Sequence, residues 1–240
     1  DRDTIKKGKN PGKKNETSAY EQAVAEACAK HAIKLSRKGY GLTVEESAET
    51  RAMSPMLAHK YKDHHKKVDW GNAFAQPKFD GFRLFAIRGE DGTWTLQSRE
   101  NQPMDALTHI KHDLDTMNLI TRGETFGTMV LDGEAYAHGL SLNEISAACK
   151  KKRPETMKVK YHVYDLYLPE SNCDYRTRHM MLNDIVLSSG SDYLEMCETV
   201  KVSNEADLMQ CQAEFMKQGY EGAMLRHGKT NYEPGKRSSS

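Results

Sequence analysis

The chain has 240 residues, 38% hydrophobic and 29% charged, with a formal net charge of +1. That is enough for one large domain or for one domain with an appendage, in the balance of a soluble globular protein. No run of 18 apolar residues is present, which excludes a transmembrane helix, and no apolar stretch follows the N-terminal lysines, so a secretory signal is not expected.

Residues 1–17 read as a flexible basic arm. Arg2, Lys6, Lys7, Lys9, Lys13 and Lys14 outnumber Asp1 and Asp3 there, among Gly and Pro. Such an arm is either solvated or grips phosphates. Ser18 and Glu21 carry a capping-box signature that opens a helix. Val24, Ala27, Cys28, His31 and Leu35 give it a thin apolar stripe, and Gly39 ends it. Residues 43–52 read as a second short helix, which makes 18–52 a helical N-terminal extension. Pro55 to Asn72 reads as a connector. From Phe74 the pattern changes: residues 82–88 and 93–99 flank Gly89-Glu90-Asp91-Gly92, a hairpin signal. Met129 to Tyr136 and Val159 to Leu168 are further strands, and Ser141 with Glu144 caps a short helix. Tyr175 to Leu187 carries Met181, Leu182, Ile185 and Val186 at helical spacing. Asn204 to Lys217 does the same with Leu208, Cys211, Phe215 and Met216, closed by Gly219. Gly222 to His227 is a last short strand. Strands and helices alternate irregularly, so the expected fold class is α+β, with mostly antiparallel sheets flanked by helices.

The five cysteines, Cys28, Cys149, Cys173, Cys197 and Cys211, form no CxxC pair, so neither a zinc ribbon nor a disulfide framework is indicated. They read as free thiols of a reducing compartment. His64 and His65 are adjacent and cannot readily share a helix-face metal site. The chemistry concentrates in Pro77-Lys78-Phe79-Asp80-Gly81-Phe82-Arg83. Taken alone, a lysine before a hairpin is ordinarily a surface residue. Here an ordered series follows: Leu131-Asp132-Gly133-Glu134, Tyr161-His162-Val163-Tyr164-Asp165, Glu221-Gly222-Ala223-Met224-Leu225-Arg226, and Tyr232-Glu233-Pro234-Gly235-Lys236-Arg237-Ser238.

This series resembles motifs I, III, IIIa and IV of the covalent nucleotidyltransferases, with the approach to motif V, and Ser98-Arg99 resembles the ligases' motif Ia. Over residues 53–240 the chain is similar to the adenylation domain of ATP-dependent DNA ligases, while 1–52 resembles the N-terminal extension of some phage-type ligases. The resemblance implies the nucleotidyltransferase fold (ATP-grasp-like), ATP and Mg²⁺ as cofactors, nicked duplex DNA as partner, and no membrane. It also implies a monomer in the cytoplasm, the host's if the source is viral.

By the same resemblance Lys78 would carry AMP. An amine attacks the α-phosphorus of ATP only when neutral, and partial desolvation beside Arg83 and a metal would favour that form. Glu134 would hold the ribose and Glu221 the metal, with Asp80 as a second metal ligand or lysine-orienting group. Tyr164 would stack on adenine, whose edge the backbone at Gln76 and Pro77 would read. Arg83 suits phosphates, Arg99 would grip the nick's 5′-phosphate, and Arg237 belongs to the approach to motif V. Asp165 reads as a structural acceptor with no role in the chemistry assigned to it, His162 as an ordinary strand residue. Lys150-Lys151-Lys152-Arg153 is a solvated face or a contact with the DNA backbone. The sequence stops at Ser240, before the motif V lysines and the C-terminal OB-fold, so a truncated domain is expected. The alternatives are an RNA ligase or mRNA capping guanylyltransferase of the same superfamily, and a catalytically idle nucleic-acid-binding module.

Overall fold

Two sheets carry the architecture, built from strands whose alternate side chains face opposite ways. The computed structural model describes residues 4–37, 43, 53–117, 120–121, 124–125, 128–169 and 171–238. The chain divides into two units, residues 1–52 with 100–102, and 53–99 with 103–240.

In the first unit, helix α1 (Ala19–Arg37) starts where the sequence predicts. The Ser18 amide donates to the Glu21 carboxylate and the Glu21 amide to the Ser18 hydroxyl, at 2.7 and 3.2 Å. The predicted apolar stripe does not form a core: Val24 is 43% exposed, and Ala27, Cys28 and His31 are exposed with it. Gln22 is buried instead, accepting from the Thr17 hydroxyl and donating to Glu26. Where the sequence predicts a flexible arm, residues 9–17 close on themselves through the Thr17 amide and the Lys9 carbonyl (3.0 Å). The helix predicted over 43–52 and its neighbour Gly39 lie outside the described residues, Thr43 excepted.

The second unit runs β1 (Leu57–Ala58), α2 (Tyr61–His64), β2 (Ala73–Lys78), β3 (Phe82–Arg88), β4 (Trp94–Ser98), α3 (Thr108–Thr116), β5 (Ile120–Thr121), β6 (Glu124–Thr125), β7 (Met129–Tyr136), α4 (Leu142–Lys150), β8 (Lys160–Tyr167), α5 (Tyr175–Ser189), β9 (Leu194–Met196), β10 (Val200–Val202), α6 (Glu205–Lys217), β11 (Gly222–His227) and β12 (Arg237–Ser238). The larger sheet has the order β4-β3-β7-β8-β9, antiparallel except for the β8–β9 pair. The smaller one, β10-β2-β11, is antiparallel throughout. β1 and β12 pair in parallel.

The α+β class follows the sequence, as do the hairpin, β7, the Ser141-capped helix α4 and β11. β2, α3, β9 and β10 were not expected. β2 shows no alternation because it is the central strand of its sheet, with Ala73, Ala75, Gln76 and Pro77 all buried. α3 has no side-chain cap and buries only His109, Ile110 and Leu114. The predicted connector over 55–72 holds β1, α2 and two 3₁₀ turns.

One face of the larger sheet packs the main core. Leu84, Ala86 and Leu131 meet Ile110 and Leu114 of α3, Ile145 of α4, and Leu182 and Ile185 of α5. A second core of Ala73, Ala75, Val202, Leu208 and Phe215 fastens α6 to the smaller sheet. By alternation Arg83 and Glu134 point away from the main core, and they stand opposite each other in the β3–β7 register. The β7–β8 register then slips: Asp132 faces Asp165 and Gly133 faces Val163, so Tyr164 is the extra residue of a β-bulge.

Candidate active site

A cavity of about 470 Å³ opens within the second unit, walled by Gln76 and Lys78 of β2, Arg83 of β3, Glu134 of β7, Tyr164 of β8 and Arg226 of β11. Lys78 ends β2 opposite Gly222. The Glu221 amide donates to the Lys78 carbonyl at 2.9 Å, and their side chains form an ion pair, Nζ to Oε2. Both are accessible, at 42% and 51% exposure, so water and ions reach the pair.

Glu134 sits deeper. Burial pushes its carboxyl up to about 8, against the pull of Arg83, so it keeps its proton at neutral pH. Arg83 lines the cavity, but its guanidinium is tied. Nε and Nη2 donate to both oxygens of Asp132 at 3.0 and 2.5 Å, and Nη2 also to the Met56 carbonyl at 3.0 Å. Asp132 is fully buried and also accepts from the Tyr232 hydroxyl at 2.6 Å. Arg83 is thus a fixed cationic wall of the cavity, held through Nε and Nη2.

The bulge brings the Tyr164 ring to the cavity. The guanidinium carbons of Arg83 and Arg226 lie 5.6 and 5.4 Å from its centre. Burial raises the Tyr164 phenol well above its ordinary value, so the ring stays neutral. Pro77 lines the same wall, and Arg99, one residue beyond β4, stands exposed at the cavity.

Three predicted site residues are not part of the lining: Glu221, which meets the cavity through Lys78, and Asp80 and Arg237. Asp80 is exposed. Arg237 is also exposed. It donates to the Ala58 carbonyl at 2.5 Å and so fastens β12 to β1, whose Leu57 and Ala58 do line the cavity. The exposed run from Lys150 to Arg153 touches the cavity region once, through Lys150 Nζ, 5.5 Å from the Phe82 ring centre. His162 packs against Phe79 (4.8 Å between rings), and burial lowers its imidazole.

Arg226 and Asp165 were missed as a pair. Asp165 is fully buried and accepts from Arg178 Nε at 2.8 Å and Arg226 Nη1 at 2.7 Å. The one signal in the sequence was an arginine and an aspartate each closing a motif.

Among the described residues no three His, Cys, Asp or Glu side chains converge on a metal site. Glu221 fits a different arrangement, one carboxylate offered to a hard cation whose other ligands are water and phosphate oxygens, which is how Mg²⁺ is usually held.

A family model described as an ATP dependent DNA ligase domain matches residues 55–240. The DNA ligase of African swine fever virus is 28% identical over 236 residues, covering 96% of this chain and 54% of the viral protein. The DNA ligase of Methanothrix thermoacetophila is 27% identical over 207 residues, covering 79% of this chain and 35% of its own. The chain therefore spans about half the length of the viral relatives it matches. Among solved structures, the ATP-dependent DNA ligase of bacteriophage T7 in complex with ATP superposes with a TM-score of 0.61 at 17% identity, over 78% of this chain and 66% of that one. The Chlorella virus DNA ligase-adenylate gives 0.55 at 19%, over the same shares. At these identities the structural likeness is one of fold.

Proposed function

The chain belongs to the ATP-dependent DNA ligase family, and on that premise we propose that Lys78 takes AMP from ATP and that the whole protein passes it to the 5′-phosphate of a nick in duplex DNA. The observation that carries this reading is the Lys78 ammonium paired with Glu221 at the edge of a cavity walled by Tyr164 and Glu134.

Adenine lies on Tyr164, with its edge along the backbone of Gln76 and Pro77. Protonated Glu134 both donates to and accepts from the ribose hydroxyls. The Lys78 amine, having lost a proton, attacks the α-phosphorus. The bond to the oxygen bridging to the β-phosphate breaks, and pyrophosphate leaves. A bound Mg²⁺ would offset charge on the phosphates. Glu221 would hold that ion, and its ion pair with Lys78 would then open. In the next step a nick phosphate oxygen, gripped by Arg99, attacks the AMP phosphorus and the P–N bond to Lys78 breaks. The 3′-hydroxyl then attacks the nick phosphorus and AMP departs. Arg237 acts indirectly, through the β1–β12 pairing.

On this reading residues 53–240 form the adenylation domain, preceded by the basic arm of residues 1–17 and the helical extension of residues 18–52. The protein works as a monomer in the cytoplasm, the host's for a virus. Among the described residues no helix is long and apolar enough to cross a membrane. Incubated with ATP and Mg²⁺, the full-length protein is expected to gain one AMP, seen by intact mass, and to seal nicked DNA in preference to nicked RNA. Lys78→Ala and Lys78→Arg are both expected to lose the adduct, since arginine cannot be deprotonated here. An undiminished adduct in either variant overturns the assignment.

A further inference from the structure

The Gln76 side chain is 2% exposed and lines the cavity. A carboxamide has two N–H donors and an oxygen with two lone pairs. Both donors are in use: Nε2 lies 2.8 Å from the Tyr175 hydroxyl and 2.9 Å from Thr199 Oγ1. The Thr199 hydroxyl gives its own hydrogen to the Cys197 carbonyl at 3.0 Å, so toward Gln76 it can only accept. On the other side Arg226 Nε donates to Gln76 Oε1 at 2.7 Å. A guanidinium cannot accept, and this one is anchored by Asp165. Turning the amide over would set an NH₂ against the Arg226 guanidinium N–H and an oxygen against the Thr199 oxygen. The amide therefore has one orientation, and what it leaves for a ligand is a single lone pair on Oε1.

We infer that Arg226 and Thr199 are positioning residues that make the cavity select adenine over guanine, by holding the Gln76 amide with its oxygen presented to the base. Adenine carries an amino donor where guanine and hypoxanthine carry a carbonyl acceptor. The inference rests on the reading that the cavity takes the base of ATP. A base with the carbonyl loses one hydrogen bond and brings two oxygens together. The expected selectivity is about 10- to 100-fold, the size of one hydrogen bond plus an unsatisfied buried acceptor.

The test is equilibrium binding of ATP, GTP and ITP to the full-length protein with Mg²⁺ chelated, so that no covalent step intervenes. Wild type is expected to prefer ATP to both others. Arg226→Gln can present either a donor or an acceptor to Gln76, and is expected to lose most of the preference. Arg226→Lys remains donor-only and should retain it. Thr199→Val removes the acceptor on the nitrogen side and should narrow the ratio; it decides the matter should Arg226→Gln fail to fold. Variants that weaken ATP and GTP alike at an unchanged ratio overturn the inference, as does a wild type indifferent to the base. A wild type that prefers ATP yet forms no lysyl-AMP when Mg²⁺ is supplied sinks the nucleotidyl-transfer reading instead.

Discussion

Lys78 and Glu221 are each roughly half exposed, and a pair so wetted adds little to stability. On the function proposed above its value is chemical, holding the Lys78 side chain at the cavity edge beside a carboxylate suited to a metal. Glu134 is the opposite case. Folded, its carboxyl is raised to about 8 by burial, from an ordinary 4.5. Between those values the native state holds a proton that the unfolded state has lost. Stability from this group is therefore complete below the ordinary value and drains away as pH rises through the raised one. Glu134→Gln has no proton to lose. Melting temperatures from about pH 5 to about pH 9 are expected to show wild type falling relative to Glu134→Gln as pH rises. A constant difference across that range would contradict the burial of an acid at this position.

At the scale of elements, the turn from β2 to β3 and the bulge in β8 place the chemistry. The turn crosses β7 so closely that a Cβ on Gly81 would sit 2.6 Å from Glu134 Cγ and 2.8 Å from the Ala135 carbonyl oxygen. Gly81→Ala must displace Glu134 or its strand. It is expected to lose about 1–3 kcal/mol in urea unfolding, as overpacked sites do, and to weaken ATP binding with it. Ser141→Ala removes the α4 capping box and should lose a similar amount, about 1 kcal/mol, while leaving ATP binding alone. Equal ATP affinity in wild type and Gly81→Ala would show that the turn does not set the position of Glu134.

For the whole molecule, the proposed reaction needs a nucleotide in the cavity and a DNA duplex outside it. Arg99 offers a single guanidinium at the cavity, whereas the lysines of residues 1–14 offer dispersed charge. Arg99→Ala is expected to form lysyl-AMP normally and then pass AMP to a nick about 10- to 100-fold more slowly, even at low salt. Deleting residues 1–14 should instead lower nick affinity most at low salt and flatten its salt dependence, because fewer counterions are released. Single-turnover transfer from pre-adenylated protein, and binding titrated against salt, separate the two. A wild-type transfer rate in Arg99→Ala would remove Arg99 from the DNA-facing surface.

Much of the candidate site is legible in the sequence because its members sit in short contiguous runs. Lys78, Glu134, Tyr164 and Glu221 each belong to a motif, and the strand alternation around Arg83 and the capping signal at Ser141 depend only on near neighbours along the chain. β2 escaped because a strand buried on both faces has no alternation to read. Hidden too were the partnerships that tie the cavity together. Arg83 meets Asp132 across 49 positions, Arg226 meets Asp165 across 61 and Gln76 across 150. Nothing local to an arginine says which buried carboxylate will neutralise it. That choice follows from strand register, from the single-residue slip at Tyr164, and from the exclusion of water that makes an unpaired charge intolerable. These arise only when the sheets pack.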